Sequence, residues 1–127
     1  MNITHVQLLS VPVTDQGRAR DFYVDTLGMD LVSDDTTDPN QTWIHVAPKG
    51  GGAGLTLVTW FETMPPGSLR GLVLHTADID GDTDRLRQAG VKVDGPQDAP
   101  WGRHSMLEDP DGNGLILAGP PVADPGA

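Results

Sequence analysis

The chain contains no cysteine. That absence rules out disulfides, a thiolate nucleophile, a zinc finger and an iron–sulfur cluster. Positive charge is scarce too: 8 Lys and Arg stand against 18 acidic residues, nearly all Asp, for a formal net charge of −10. Such a balance disfavours nucleic acid and anionic membrane surfaces as partners, and most of the aspartates read as a solvated shell. No apolar run reaches the roughly 20 residues of a membrane span, and the first residues lack a signal-peptide pattern; a cytoplasmic protein is expected. What is present is globular. At 127 residues and 37 % apolar content, the chain suits one domain, or two very small fused modules sharing a core.

The sharpest local signal lies near the end. Asp109-Pro110-Asp111-Gly112 is a tight turn: Pro110 presets φ, Asp109 can bond the backbone ahead of it, and Gly112 accepts the closing dihedral. Ser105-Met106-Leu107 and Leu115-Ile116-Leu117 flank it as two antiparallel strands. A similar block begins the chain. Ile3–Val13 reads as a strand with one apolar face. Thr14 or Asp15 then caps a helix in which Ala19, Phe22, Tyr23 and Leu27 share a face, and Gly28 ends it. Short strands are expected at Met29–Ser33, Thr42–Ala47 and Gly54–Phe61. The polar stretch Asp34–Asn40 reads as a mobile loop.

The pattern then recurs after a Pro-Pro-Gly connector at 62–69 that suits neither helix nor central strand. Gly71–Ala77 is a strand, and Asp78 or Asp80 caps a helix through Leu86 and Ala89 that ends at Gly90. Val91–Val93, Arg103–Leu107 and Gly114–Ala118 complete it. The chain is therefore a β-α-β-β-β unit written twice, an α+β fold with module one at 3–61 and module two at 70–119. The stretch 120–127 is expected to be a disordered tail.

Two such units, closed by Glu108-Asp-Pro-Asp-Gly-Asn113 and opened by Val11-Pro-Val-Thr-Asp15 leading into Phe22-Tyr23 and Leu27-Gly28, resemble the vicinal oxygen chelate superfamily. That group includes glyoxalase I, extradiol dioxygenases, fosfomycin-resistance enzymes and bleomycin-binding proteins. The resemblance covers about Ile3 to Ala118. It implies that each module curls its sheet, and that the curled mixed sheets surround a ligand cavity. Metalloenzyme members carry His or Glu ligands on four strands. Carried over from the motifs, those positions fall at Leu8, about Thr56, Gly71 (Leu72 if the strand slips by one) and Ile116. None supplies an anionic or imidazole ligand, so no metal and no other cofactor is expected; a non-standard divalent site remains the alternative.

Four histidines could carry chemistry. His5 reads as a rim residue and His104, on the parity of Met106, as a packing residue. His45 and His75 alternate with Ile44 and Val46, and with Leu72 and Leu74, so both imidazoles leave the apolar face. Trp43 shares the parity of His45. These residues, with Thr56, Trp101 and Arg103, form the candidate ligand site for a flat or anionic molecule; Arg103 could equally pair with Glu108 or a nearby Asp. Gly50-Gly51-Gly52 lacks the helix and lysine-serine signature of a phosphate loop.

Three classes of function follow. The first is a metal-independent protein that sequesters a small aromatic compound, for which negative charge favours a cationic ligand. The second is a superfamily lyase or isomerase with His45 and His75 as acid and base or as metal ligands. The third is a dimer without a small ligand. A homodimer is expected in any case, since strand edges stay open and Trp60, Phe61 and Met64 sit where a partner could cover them.

Overall fold

The computed structural model describes residues 1–35 and 42–120. The loop expected at Asp34–Asn40 falls mostly outside them, as does nearly all of the tail. The described elements are β1 (Leu8–Pro12), α1 (Gln16–Asp21) running into a π-helical turn (Phe22–Thr26), β2 (Asp30–Asp35), β3 (Trp43–Ala47), β4 (Gly54–Val58), β5 (Leu72–His75), α2 (Ile79–Gln88), β6 (Val93–Ala99), β7 (Gly102–Glu108) and β8 (Gly114–Ala118). They form two mixed four-stranded sheets of identical plan, ordered β1-β4-β3-β2 and β5-β8-β7-β6, and neither closes on itself. In each, the first strand runs parallel to the fourth and the remaining pairs are antiparallel.

The chain divides into two compact units. One is Met1–Leu69 together with the turn Asp109–Asn113; the other is Arg70–Glu108 together with the stretch from Gly114 onward. The division falls between Leu69 and Arg70. The transfer of the turn to the first unit does not follow from the repeat.

Strand lengths are set by partners. β1 pairs with β4, which is five residues long, so the ladder spans Leu8 to Pro12, with flanking bonds at Gln7 and Val13, and residues 1–6 stay exposed outside the sheet. The expected strand from Ile3 is shortened accordingly, and β5 likewise spans only the four residues that β8 can pair. β6 differs in the other direction. It continues well past Val93, through Gly95 and Pro96, because a register shift between Asp94 and Gln97 absorbs the residues that cannot join the ladder. β6 is an edge strand, where proline is tolerated.

Both helices begin on aspartate. The Asp15 side chain accepts from Arg18 N and the Asp78 side chain from Gly81 N, each satisfying a backbone donor that the first helical turn leaves open. Both stop at glycines with positive φ, Gly28 at +75° and Gly90 at +86°. In the first unit Val11, Ala19, Tyr23, Ile44, Val46, Leu55 and Leu57 are almost wholly buried between α1 and the sheet. In the second, Ile79, Leu86, Leu107, Leu115 and Leu117 do the same under α2.

The turn Asp109–Asn113 is the most densely hydrogen-bonded part of the first unit. Asp109 Oδ1 accepts from Asp111 N and Asn113 N, both at 2.9 Å. Its Oδ2 accepts from the Tyr23 hydroxyl at 2.9 Å and from Asn113 Nδ2 at 2.8 Å. Asn113 Nδ2 also donates to the Pro12 carbonyl, and Asn113 Oδ1 accepts from Leu69 N. Asp111 Oδ1 accepts from Thr14 N at 2.9 Å and from the Arg18 guanidinium at 3.3 Å. Burial, and then the Asp109 charge, push the Tyr23 hydroxyl pKa well above its ordinary value.

Candidate functional site

Residues paired across a sheet project from the same face, so register assigns each candidate side chain to a side. In the first sheet, His45 pairs with Thr56 and with Ser33. Thr56 pairs with Ser10 and Gly54 with Leu8. Trp43 and His45 therefore share a face with Ser10, Ser33, Gly54, Thr56 and Leu8, and the apolar set Ile44, Val46, Leu55 and Leu57 occupies the other. This is the alternation expected from the sequence. Trp43 is 40 % exposed and His45 is half-buried. Thr56 is only 1 % exposed, and its hydroxyl lies 3.2 Å from that of Ser10. It supports the face rather than presenting a free group.

In the second sheet, Val73 pairs with Ile116, and Ile116 with Met106; His75 pairs with Ala118, and Ala118 with His104. His104 in turn pairs with Gln97. The helix-free face thus carries a row Gln97–His104–Ala118–His75, polar but for Ala118, beside a row Met106–Ile116–Val73 that is apolar and ends on Asp94 at the edge strand. The opposite face is identified by the 2.8 Å hydrogen bond between Ser105 and Thr83 of α2. Trp101, at the β6–β7 turn, stacks on His104 with ring centroids 4.4 Å apart. His104 Nδ1 is buried without a hydrogen-bond partner among the described residues. Val73, Met106 and Trp101 are 53 %, 39 % and 54 % exposed. At the far end of this face a depression of about 760 Å³ is bordered by Arg70, Lys92, Asp94, Glu108, Gly114 and Ile116.

The candidates consequently fall into two groups. Trp43, His45 and Thr56 share a face of the first sheet; on the second, Trp101 stacks on His104, which stands in the same row as His75. Arg103 belongs to neither group. It shares the parity of Ser105, on the face that carries α2, and its guanidinium bonds Asp80 at 2.9 Å and Asp98 at 3.0 Å. Those carboxylates raise its pKa above the ordinary arginine value. The answer to a nearby Asp, one of the two readings of Arg103, is the one observed. His104 belongs with His75, and its shared parity with Met106 is the signal that places it there. Gly54 and Ser10 carried no such signal.

At the four strand positions where metal-binding relatives carry ligands, Leu8 and Ile116 present hydrocarbon and Thr56 a hydroxyl already engaged. Gly71 lies just ahead of β5, whose residues on this face are Val73 and His75. Among the described residues no three His, Asp or Glu side chains cluster so as to hold a metal ion. No helix among them is long and apolar enough to cross a membrane.

Two β-α-β-β-β units of identical strand order define the paired-module class of glyoxalase-like folds. The sequence profile of the Glyoxalase/Bleomycin resistance protein/Dioxygenase superfamily matches residues 2–117, and the chain belongs to that family. Among solved structures it is similar to TnmS3, an antibiotic binding protein from Streptomyces sp. CB03234, with 57 % identity and a TM-score of 0.91 over 94 % of this chain and 98 % of that one. A glyoxalase/bleomycin resistance protein from the same organism is 55 % identical with a TM-score of 0.83, covering 89 % and 98 %. An uncharacterised protein of Bacillus subtilis is 32 % identical over 91 % of this chain and 98 % of its own length.

Proposed function

We propose that the protein binds and sequesters a small, flat aromatic molecule on the helix-free faces of its sheets, without the metal used by enzymatic members of its family. The observation that carries this reading is where apolar surface is left open. Trp43, Val73, Met106 and Trp101 stand exposed on or beside the free faces, next to imidazoles, whereas the helix-bearing face of the first sheet buries its central residues and leaves Leu9 and Leu31 open on the edge strands. Exposed apolar patches rimmed by polar groups mark binding surfaces. The TnmS3 likeness supports the reading, since that protein is described as antibiotic binding. The residues at the family's ligand positions do not fit a metal: a divalent site needs about three deprotonated donors, and Leu8, Gly71 and Ile116 have none. Negative charge favours a cationic ligand. The functional unit in this reading is a homodimer, for which Phe61, 46 % exposed, offers apolar contact surface.

The test is calorimetric titration of chelator-treated protein with flat cationic aromatics (proflavine, ethidium, daunorubicin). Saturable binding is expected for at least one, unchanged by the chelator. Trp43→Ala or Trp101→Ala should weaken it by up to roughly ten-fold, the scale of one lost stacking contact. Failure of the whole panel, or binding that returns only when metal is added, overturns the proposal. Sedimentation at micromolar concentration tests the dimer, and a single monomeric species contradicts it.

A further inference from the structure

Every residue of β4 is buried, and four of the five, Leu55, Thr56, Leu57 and Val58, fill space with side chains. Gly54 does not, and its backbone gives no reason for glycine, since it is not among the residues with positive φ. Its N–H donates to the Gln7 carbonyl at 2.9 Å, a bond any residue but proline could make. The reason lies above it. A Cβ placed on Gly54 would stand 2.1 Å from Nε2 of His45 and 2.8 Å from its Cδ2. The imidazole fills the volume that a side chain at position 54 would need.

The register says which way the ring leans. His45 is opposite Thr56 and Val46 opposite Leu55, so Gly54 lies diagonally beyond His45, on the side away from Trp43. The ring therefore leans toward Gly54, away from the Trp43 end of the strand.

We propose that Gly54 is a positioning residue. Its missing side chain is a notch that seats the His45 imidazole and sets the gap between that ring and Trp43. That gap is where a flat ring would enter, a role that rests on the binding reading above for the first sheet.

The experiment compares Gly54→Ala, His45→Ala and the double variant with the parent protein. The first readout needs no ligand: nuclear Overhauser contacts between the His45 ring proton Hδ2 and the Gly54 α-protons are expected in the parent. In G54A the ring should move, with new chemical shifts and contacts. The second is titration with proflavine. G54A and H45A should each weaken binding by roughly five- to ten-fold, the scale of one lost contact, and the double variant no further, because both act through one ring. If G54A is too unstable to titrate, adding H45A should restore its melting temperature by emptying the notch. An unmoved ring in G54A, affinity losses that multiply, or no rescue by H45A overturns the proposal. If the parent binds no proflavine, the binding reading fails for that probe, and the ring contacts alone decide whether Gly54 seats His45.

Discussion

The two units share a strand order but solve burial in opposite ways. The first invests in a polar core. Its turn Asp109–Asn113 joins Tyr23, Pro12 and Leu69 in one hydrogen-bonded cluster, and its helix passes into a π-helical turn whose Leu27 N–H bonds the Phe22 carbonyl five residues back. The second has a regular ten-residue helix and, among the described residues, one buried hydroxyl pair, Thr83 with Ser105. Its free face is the more open: Val73 and His75 of β5 are exposed, whereas Leu8 and Ser10 at the matching strand β1 are half-buried. The two units share a topology and differ in chemistry: the first carries more of the buried polar structure and the second leaves more of its free face exposed.

The largest effect that can break this contrast is expected at Asp109. Asp109→Ala leaves the Tyr23 hydroxyl, two backbone amides and Asn113 Nδ2 without their acceptor in a buried site. It should cost about 4 kcal/mol, within the range for a broken buried network. Thr83→Val, which deletes the other unit's buried hydroxyl pair, should cost about 1 kcal/mol. Chemical denaturation of both variants measures the difference. Equal losses would remove the distinction between the units.

A smaller effect sharpens the same point through pH. Tyr23 is the chain's single tyrosine, and burial followed by the Asp109 charge raises its folded-state pKa. An unfolded tyrosine ionises near about 10, so above that pH the unfolded chain has shed a proton that the folded chain keeps. The stabilisation is complete below pH about 10 and declines as pH rises beyond it. Comparison of denaturation curves for the parent and Tyr23→Phe across alkaline pH should show a slope in the parent that the variant lacks. Parallel curves would mean that the hydroxyl titrates as if exposed.

The smallest effect concerns recognition. Arg103 is committed to Asp80 and Asp98 on the helix-bearing face. Arg103→Ala should therefore leave the affinity for a bound aromatic unchanged within about two-fold, well under the tenfold that one lost contact brings. A ten-fold loss in titration would return Arg103 to the binding surface.

Most of the architecture was legible from local signals. The aspartate caps, the glycine stops and the turn at Pro110 are each set by a few neighbouring residues, and alternation along β3 places Trp43 and His45 on the face where they are found. What local reading missed depends on partners distant in the chain. β1 ends at Leu8 because β4 has no more residues to offer. β6 runs through Gly95 and Pro96 because a bulge on an edge strand tolerates them. The duty of Asp109 is invisible until Tyr23, 86 residues away, is placed beside it. The space over Gly54 is seen to be occupied only once strand register puts His45 there, and His104 falls in one row with His75 only through Ala118.

The central claim, that the helix-free faces bind and the helix-bearing faces only pack, is tested most directly by mapping chemical-shift changes while proflavine is titrated into isotopically labelled protein. The account predicts perturbations confined to free-face positions, Trp43, His45 and Ser33 on the first sheet or His75, His104, Met106 and Ile116 on the second, with Ala19, Thr83 and Leu86 unmoved. Perturbations centred on α1 and α2, or none at saturating dye, would contradict it.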